Sequence, residues 1–364
     1  MVLRIAAIGY GDIAQRRHFP QLQALAGTAE LVAIAGRDSA RLAECAARFN
    51  VPRWYTDPAE MLADPAIDAV MVLTPPDTHA EHAELVLRAG KHVMIEKPLV
   101  RSQAEMARLA AAVRAARPVT IFALPHVATA EQALVARLLQ SGAIGTVTGV
   151  ESHRGHRGPT HADWFYRRDL SGGGVLFDLG IYQLTGIATL FGPAASMSSL
   201  CSRHFDTRTM DDGSTIQPDV EDSAQLSLLL ENRIAVSVNA NWNGSLSHHA
   251  TRMRTTVFGR AGILHFGVAD GAVYLFRPDG AYDTWSPASD PADFDGHPSR
   301  RFRPHGTSGP PSLVAEFVAR IQAADTATRS LDIQAHVLDI ITAAYTPTTP
   351  TPLPKRFTGD MLSA

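Results

Sequence analysis

The chain has 364 residues, 45% hydrophobic and 19% charged, a balance that suits a folded protein and excludes a disordered one. Its 33 Lys and Arg face 36 Asp and Glu, so the formal net charge is −3, without the cation surplus that a nucleic-acid binder needs to displace counterions. The two cysteines, Cys45 and Cys201, have no CxxC or Cys/His metal spacing, which argues against a disulfide scaffold or zinc ribbon and fits a reducing, cytoplasmic setting.

The opening residues, Met1–Ile8, form a short apolar run before a glycine turn and read as a strand rather than a leader. No apolar run reaches the roughly 18 to 20 residues that span a bilayer, which predicts a soluble chain without a membrane partner. From Leu3 to about Ala123, short apolar runs alternate with helical patterns, the grammar of parallel strands joined by crossover helices. Strands are expected at Leu3–Ile8, Leu31–Ala35, Ala69–Leu73, Val93–Ile95 and Val119–Ala123. Thr78-His-Ala-Glu81 and Ser102-Gln-Ala-Glu105 each read as a capping box, and Gly90 stands where a C-terminal cap is wanted.

Beyond that point a helix from about Thr129 to Gln140, ended by Gly142, leads into segments with a period of two. Ala224–Leu228 and Ile234–Val238 flank a Glu231-Asn232 hairpin turn. Further strands are expected at Thr146–Glu151, Ser196–Cys201, Met253–Phe258, Ile263–Phe266 and Ala272–Phe276. The pattern predicts an α/β protein of two domains: residues 1–123, with parallel strands joined by crossover helices, and residues 124–364, an α+β domain with a largely antiparallel sheet. Arg277–Pro311, rich in Pro, Gly, Asp and Ser, reads as a long loop. Two late helices, Leu313–Ile321 and about Ile333–Ala343, precede a Thr/Pro-rich run, Thr346–Pro352, that reads as an arm or an edge connection.

Gly9-Tyr10-Gly11-Asp12-Ile13-Ala14 follows the first strand and opens a helix, the context that gives a glycine-rich turn its meaning. Gly9 permits the tight turn, Gly11 lets the backbone approach a pyrophosphate, and Ala14 allows close helix-to-strand packing. At the end of the second strand a carboxylate would bind the free ribose hydroxyl of NAD, but this chain has Ala35-Gly36-Arg37-Asp38. Gly36 leaves space for a phosphate and Arg37 can grip it with a planar guanidinium, so NADP is preferred over NAD. The alternative is that Arg37 is a solvated cation and Asp38 only caps the next helix.

Thr74-Pro75-Pro-Asp-Thr-His79 and Ala89-Gly-Lys-His-Val-Met-Ile-Glu96-Lys97-Pro98 resemble the TPxxxH and AGKHVxxEKP signatures of the family named for glucose–fructose oxidoreductase, inositol dehydrogenase and a rhizopine-catabolism protein. With Ser141–Gly145 and Gly172–Gly180, the resemblance covers nearly the whole chain. It implies that residues 1–123 are a Rossmann dinucleotide-binding domain and that residues 124–364 carry a large, predominantly antiparallel open sheet through which family members form dimers or tetramers. It also implies that Thr74, Pro75, His79, Glu96 and Lys97 belong to the nucleotide side of the site, with a proline after the lysine that is often cis. There Lys97 would lie over the nicotinamide end, where burial and the positive ring lower its pKa.

Asp178 and Tyr182, four apart on a helix, share a face, with Thr185 a turn further on. The family pattern Asp-x-Gly-x-His-x-x-Asp has lost its His and its last Asp here, which departs from the inositol-dehydrogenase style of proton relay. Tyr182 resembles the branch with glucose–fructose oxidoreductase, dihydrodiol dehydrogenase and an NADP-linked xylose dehydrogenase, where the tyrosine is the acid/base. Lys97, Tyr182 and Asp178 are thus the candidate catalytic residues, the ammonium stabilising a phenolate whose intrinsic pKa is near 10. On the bland reading Tyr182 is a packing aromatic.

His153, His156 and His161 invite a metal reading, but no carboxylate or cysteine stands at a recognised metal-site spacing, so none is expected. His161, Trp164 and Tyr166 are instead expected to line a substrate cleft for a polyol or sugar ring. Together these residues predict an NAD(P)-dependent dehydrogenase or reductase acting on a secondary alcohol of a sugar, cyclic polyol or related ring diol. Two other readings are an enzyme that keeps its nucleotide bound through internal redox or glycoside chemistry, and a nucleotide-binding sensor without turnover.

Overall fold

The computed structural model describes residues 2–116, 119–123, 130–242, 253–267, 272–278, 289–294, 297–302, 312–346 and 351–352. Six strands, β1 (Leu3–Ile8), β2 (Ala29–Ala35), β3 (Arg53–Tyr55), β4 (Ala69–Val72), β5 (His92–Ile95) and β6 (Ile121–Phe122), pair in parallel in the order β3-β2-β1-β4-β5-β6. This is the dinucleotide-binding order, whose strand sequence reverses between β1 and β4. Ile5–Ile8 and Ala69–Val72 are almost wholly buried, as central strands covered on both faces must be. β3 was not expected, because its Arg-Trp-Tyr lies at the sheet edge and carries neither a buried run nor an apolar alternation.

The chain forms two compact units that are not continuous in sequence. The first comprises Met1–Pro125, Asp169–Gly172 and Ser312–Ala335; the second comprises His126–Arg168, Gly173–Pro311 and His336–Ala364. A single division after Ala123 therefore does not describe the fold, and residues 124–129 themselves lie outside the described ones. The helix Leu313–Gln322 belongs to the core of the first unit, where Leu313, Val314, Phe317 and Val318 are buried with Ile5, Met71 and Phe122.

In the second unit ten strands form one sheet. These are β7 (Val147–Gly155), β8 (Ala194–Ser202), β11 (Ser223–Leu230), β12 (Ala235–Asn241), β13 (Met253–Gly259), β14 (Ile263–Phe266), β15 (Val273–Phe276), β16 (Ser289–Phe294), β17 (His297–Phe302) and β18 (Thr351–Pro352). A separate two-stranded ribbon joins β9 (Arg208–Thr209) to β10 (Thr215–Ile216). The large sheet runs β16-β17-β15-β14-β13-β7-β12-β11-β8-β18, antiparallel except where β7 meets β12. Its period of two is visible in β11, where Ala224, Leu226, Leu228 and Leu230 are buried while Gln225, Ser227 and Leu229 face out.

Four expectations are corrected. The stretch read as a loop after Arg277 contains β16 and β17, whose ladder is made by the backbone and is hidden by a Pro/Asp/Ser composition; most of the remaining loop residues lie outside the described ones. Arg168–Phe191 is long and apolar enough to cross a membrane, with a mean hydropathy of 1.4, but it is 78% buried inside the protein and serves as a core segment. Thr78 does not cap its helix; its hydroxyl lies 2.8 Å from Thr74 Oγ1 and 3.1 Å from the Pro75 carbonyl. Ser102 does cap, accepting from Glu105 N–H, but the Glu105 carboxylate returns to Arg101 N–H rather than to Ser102.

Candidate active site

The nucleotide side is built at the carboxyl ends of β1, β2, β4 and β5. Gly9 takes φ +96, and a Cβ there would stand 2.7 Å from the Leu73 carbonyl group, so the β1 turn passes the β4 end at a distance only glycine allows. At Gly11 a Cβ would meet nothing within 4 Å. Gly11, Asp12 and Ile13 are exposed, and Ala14 is fully buried against the sheet. The open space at Gly11 beside a helix start is thus a cradle left free for a group from outside, and a diphosphate fits it. Asp12 itself is paired with Arg16 at 2.6 Å.

At the end of β2 one expectation changes. The space beside Gly36 is filled by Tyr10: a Cβ at Gly36 would lie 2.3 Å from Tyr10 Cε1. The Tyr10 ring therefore floors this end, its hydroxyl 3.3 Å from the Asp38 carbonyl and the Arg41 guanidinium 5.9 Å from its centroid. Asp38 caps the following helix, accepting from Ala40 and Arg41 N–H at 3.1 Å. The Arg37 side chain is exposed and has no partner among the described residues.

Two residues expected on the nucleotide turn inward instead. His79 is 1% exposed; its nitrogens lie 2.7 Å from the Pro98 and Thr74 carbonyls, joining the two signature segments. Burial pulls its pKa down against those carbonyls. Glu96 faces His18, with Nε2 at 2.7 Å, and accepts from Lys97 N–H at 2.8 Å. Burial pushes the Glu96 pKa up, but His18 and Lys97 outweigh it and bring the value down to about 2. Lys97 is partly buried, the Lys97–Pro98 bond is cis, and Pro75 is exposed.

A second group of candidate residues lies wholly in the second unit. A π-helical turn, Leu176–Gly180, runs into the helix Ile181–Phe191 and carries Asp178. Its start is pinned by the buried Glu221, whose carboxylate accepts from Gly174 and Leu176 N–H and from the Tyr345 hydroxyl. Gly174 must be glycine, since a Cβ would overlap the Glu221 carbonyl at 1.9 Å. Asp178 Oδ2 accepts from Trp242 Nε1 at 3.1 Å and lies 3.4 Å from His156 Nε2. Arg154, on β7, holds its guanidinium 4.2 Å from the Tyr182 ring centroid. Burial lowers the Arg154 pKa, while Tyr182 and Asp178 both draw it back up. A cavity of about 60 Å³ beside Tyr182 is lined by Ser152, Arg154, Gln183 and Thr255 among others.

Of the expected substrate-lining aromatics, His161 is exposed and stands edge-on to Phe165, on which Trp164 stacks at 3.7 Å. Tyr166 is not a lining residue: it is 1% exposed, its hydroxyl donates to the Pro159 carbonyl, and burial pushes its pKa up to about 12. His18, Arg154, His156 and Trp242 were not named as site residues. The alternation Arg154-Gly-His156 at a strand end was the available signal, because residues two apart share a sheet face; His18 and Trp242 carried none.

Residues 3–122 match the family described as an oxidoreductase family with an NAD-binding Rossmann fold, and residues 133–265 match the GFO/IDH/MocA C-terminal domain. Over 298 residues the chain is 32% identical to a dTDP-3,4-didehydro-2,6-dideoxy-alpha-D-glucose 3-reductase of Streptomyces violaceoruber, covering 80% of this chain and 82% of that one. It is 31% identical over 273 residues to an uncharacterized oxidoreductase of Synechocystis, covering 73% and 71%. Among solved structures, levoglucosan dehydrogenase in complex with NADH and L-sorbose superposes with a TM-score of 0.82 at 21% identity, covering 97% and 99% of the two chains. A 3-ketoreductase from Actinomadura kijaniata, in complex with TDP-benzene and NADP, gives 0.72 at 21% identity, covering 95% and 98%.

Proposed function

Since the chain belongs to the GFO/IDH/MocA family of NAD-binding oxidoreductases, we propose that it is an NADP-linked dehydrogenase or reductase acting on a secondary carbinol of a sugar ring, free or nucleotide-linked. One observation carries this reading: a phenol under a guanidinium, Tyr182 under Arg154, on the helix that follows a largely buried carboxylate, Asp178. That set can move a hydroxyl proton. When bound, the nicotinamide supplies or takes up the hydride.

The main chain at Gly9–Ile13 binds the diphosphate in the cradle at Gly11. Arg37 takes the ribose 2′-phosphate, and Arg41, held near the Tyr10 ring, is placed to add a second cation. Tyr182 exchanges the proton of the reacting hydroxyl, Arg154 lies over its ring, Lys97 serves the nicotinamide side, and Asp178 orients the reacting group. His161 and Trp164 offer a partly exposed aromatic surface for a sugar ring. The names of the Streptomyces reductase and of levoglucosan dehydrogenase support the sugar class. For assembly we propose pairing of copies through the outer face of the ten-stranded sheet, a reading supported by Leu200 and Leu229, which are 74% and 46% exposed there.

The test is a panel of free sugars, anhydrosugars, inositols, cyclic diols and a dTDP-linked keto sugar with NADP(H) and NAD(H), following absorbance of the reduced nucleotide. Turnover with NADP(H) is expected, lowered at least about tenfold by Tyr182→Phe with NADPH binding retained. Arg37→Ala should weaken NADPH more than NADH. Tighter binding of NADH to the native protein overturns the cofactor assignment, and absence of turnover across the panel overturns the substrate class.

A further inference from the structure

His156 has both ring nitrogens engaged. Gly158 N–H donates to Nδ1 at 2.8 Å, so in the neutral ring the proton sits on Nε2, which faces Asp178 Oδ2 at 3.4 Å. The ring's backbone is held as well: His156 N–H donates to the Asn241 carbonyl at 3.2 Å. Gly158, at φ +86, stands where a Cβ would come within 2.5 Å of the Tyr166 hydroxyl. The same Asp178 oxygen accepts from the indole of Trp242, which is fully buried. The indole N–H thus donates to this carboxylate oxygen, and the imidazole Nε2 lies beside the same atom. The Asp178 side chain is 10% exposed and that of His156 39%, so the imidazole is the group of this pair that reaches solvent.

We propose that His156 is a positioning residue for Asp178: its Nε2 edge, 3.4 Å from Oδ2, together with the Trp242 indole, sets the orientation of that carboxylate and links it to solvent. The inference rests on the reading of Asp178 and Tyr182 as the acid–base half of the site. Other charged or titratable groups face this pair. Arg154 comes from β7 and Tyr182 from the helix Ile181–Phe191. Tyr166 comes from the turn Asp163–Tyr166, with Arg208 and Asp222 behind it. The Trp242 indole remains when His156 is removed, so Asp178 keeps that donor but loses the group that holds its solvent side.

The first measurement needs no substrate. Long-range proton–nitrogen correlation spectra would identify, among the 15 histidines, the ring lost in His156→Gln. An Nε2–H tautomer is expected, with an Nε2–H resonance that moves in Asp178→Asn because the neighbouring carboxylate is gone. An Nδ1–H tautomer, or an Nε2–H resonance indifferent to Asp178→Asn, overturns the contact whatever the enzyme turns over.

The second measurement is steady-state kinetics with the best sugar of the panel. His156→Ala should lower kcat about tenfold and leave the KM for NADPH within about twofold. His156→Gln, which retains an N–H donor, should restore most of the rate. Equal losses in the two variants overturn the positioning role. If Asp178→Asn keeps full turnover while the tautomer is as expected, the catalytic reading fails and takes the positioning role with it.

Discussion

Gly9 and Gly11 stand two residues apart on the same turn and are glycine for opposite reasons. Gly9 is hemmed in by the β4 end and lies in the left-handed region, whereas Gly11 has empty space around it and a backbone outside that region. Gly9→Ala should therefore destabilise the fold by more than about 2 kcal/mol, through backbone overlap and strain. Gly11→Ala should leave stability within about 1 kcal/mol of native, yet weaken NADPH binding at least tenfold, about 1.4 kcal/mol. Denaturant titration and nucleotide fluorescence titration separate the two outcomes; native affinity in Gly11→Ala would show that the cradle is not the diphosphate site. The sequence made this turn legible because its meaning is local, a strand, two glycines and a helix start. Gly36 was misread because what decides it is the Tyr10 ring, brought there only by folding. Asp38 was seen correctly as a cap on one of two open readings, since capping is again a matter of adjacent residues.

At the scale of elements, two helices widen into π turns, Ala14–His18 and Leu176–Gly180, and each turn carries a residue that organises the neighbourhood, His18 and Asp178. His18 ties the first helix to the end of β5 through Glu96. The Glu96 carboxylate is held down to about 2 from an ordinary 4.5, so its contribution is complete above about pH 4.5 and is lost as pH falls toward 2. Glu96→Gln should cost about 2 kcal/mol at pH 7. The gap between native and variant unfolding free energies should stay level near neutrality and shrink between pH 4.5 and 2. Chemical denaturation across that range checks it, and a gap that does not change with pH removes the buried carboxylate as its source. Hydrophobic periodicity found these helices but carries no mark of where one widens by a residue, which is why the partnership of His18 with Glu96 was not foreseen. In the same way the Thr78 capping box failed because Thr74, Pro75 and His79 form a competing network at that helix start.

At the scale of the molecule, the first unit is completed by a helix from the far end of the chain. Phe317 is fully buried and stacks on Phe122 at 6.4 Å, Thr120 donates to the Asp325 carbonyl at 2.8 Å, and Ser330 donates to the Ile121 carbonyl at 3.3 Å. Removing that ring leaves a cavity, so Phe317→Ala should lower stability by about 3–5 kcal/mol, measured by denaturation. An effect under about 1 kcal/mol would mean that the returning helix is dispensable to the core. The parallel strands of the first sheet and the alternation in β11 and β12 could be read in advance because each strand's burial is written in its own residues. The return of residues 312–335 could not, since an amphipathic helix does not name the surface it covers. The same return has a bearing on biosynthesis. Domains of this kind usually fold from the N-terminus as they emerge from the ribosome, but Leu313–Gln322 is translated only after every strand through β17. The nucleotide-binding unit is then sealed late: a nascent chain, or one truncated before residue 312, carries its glycine turn and its lysine on a half-open core.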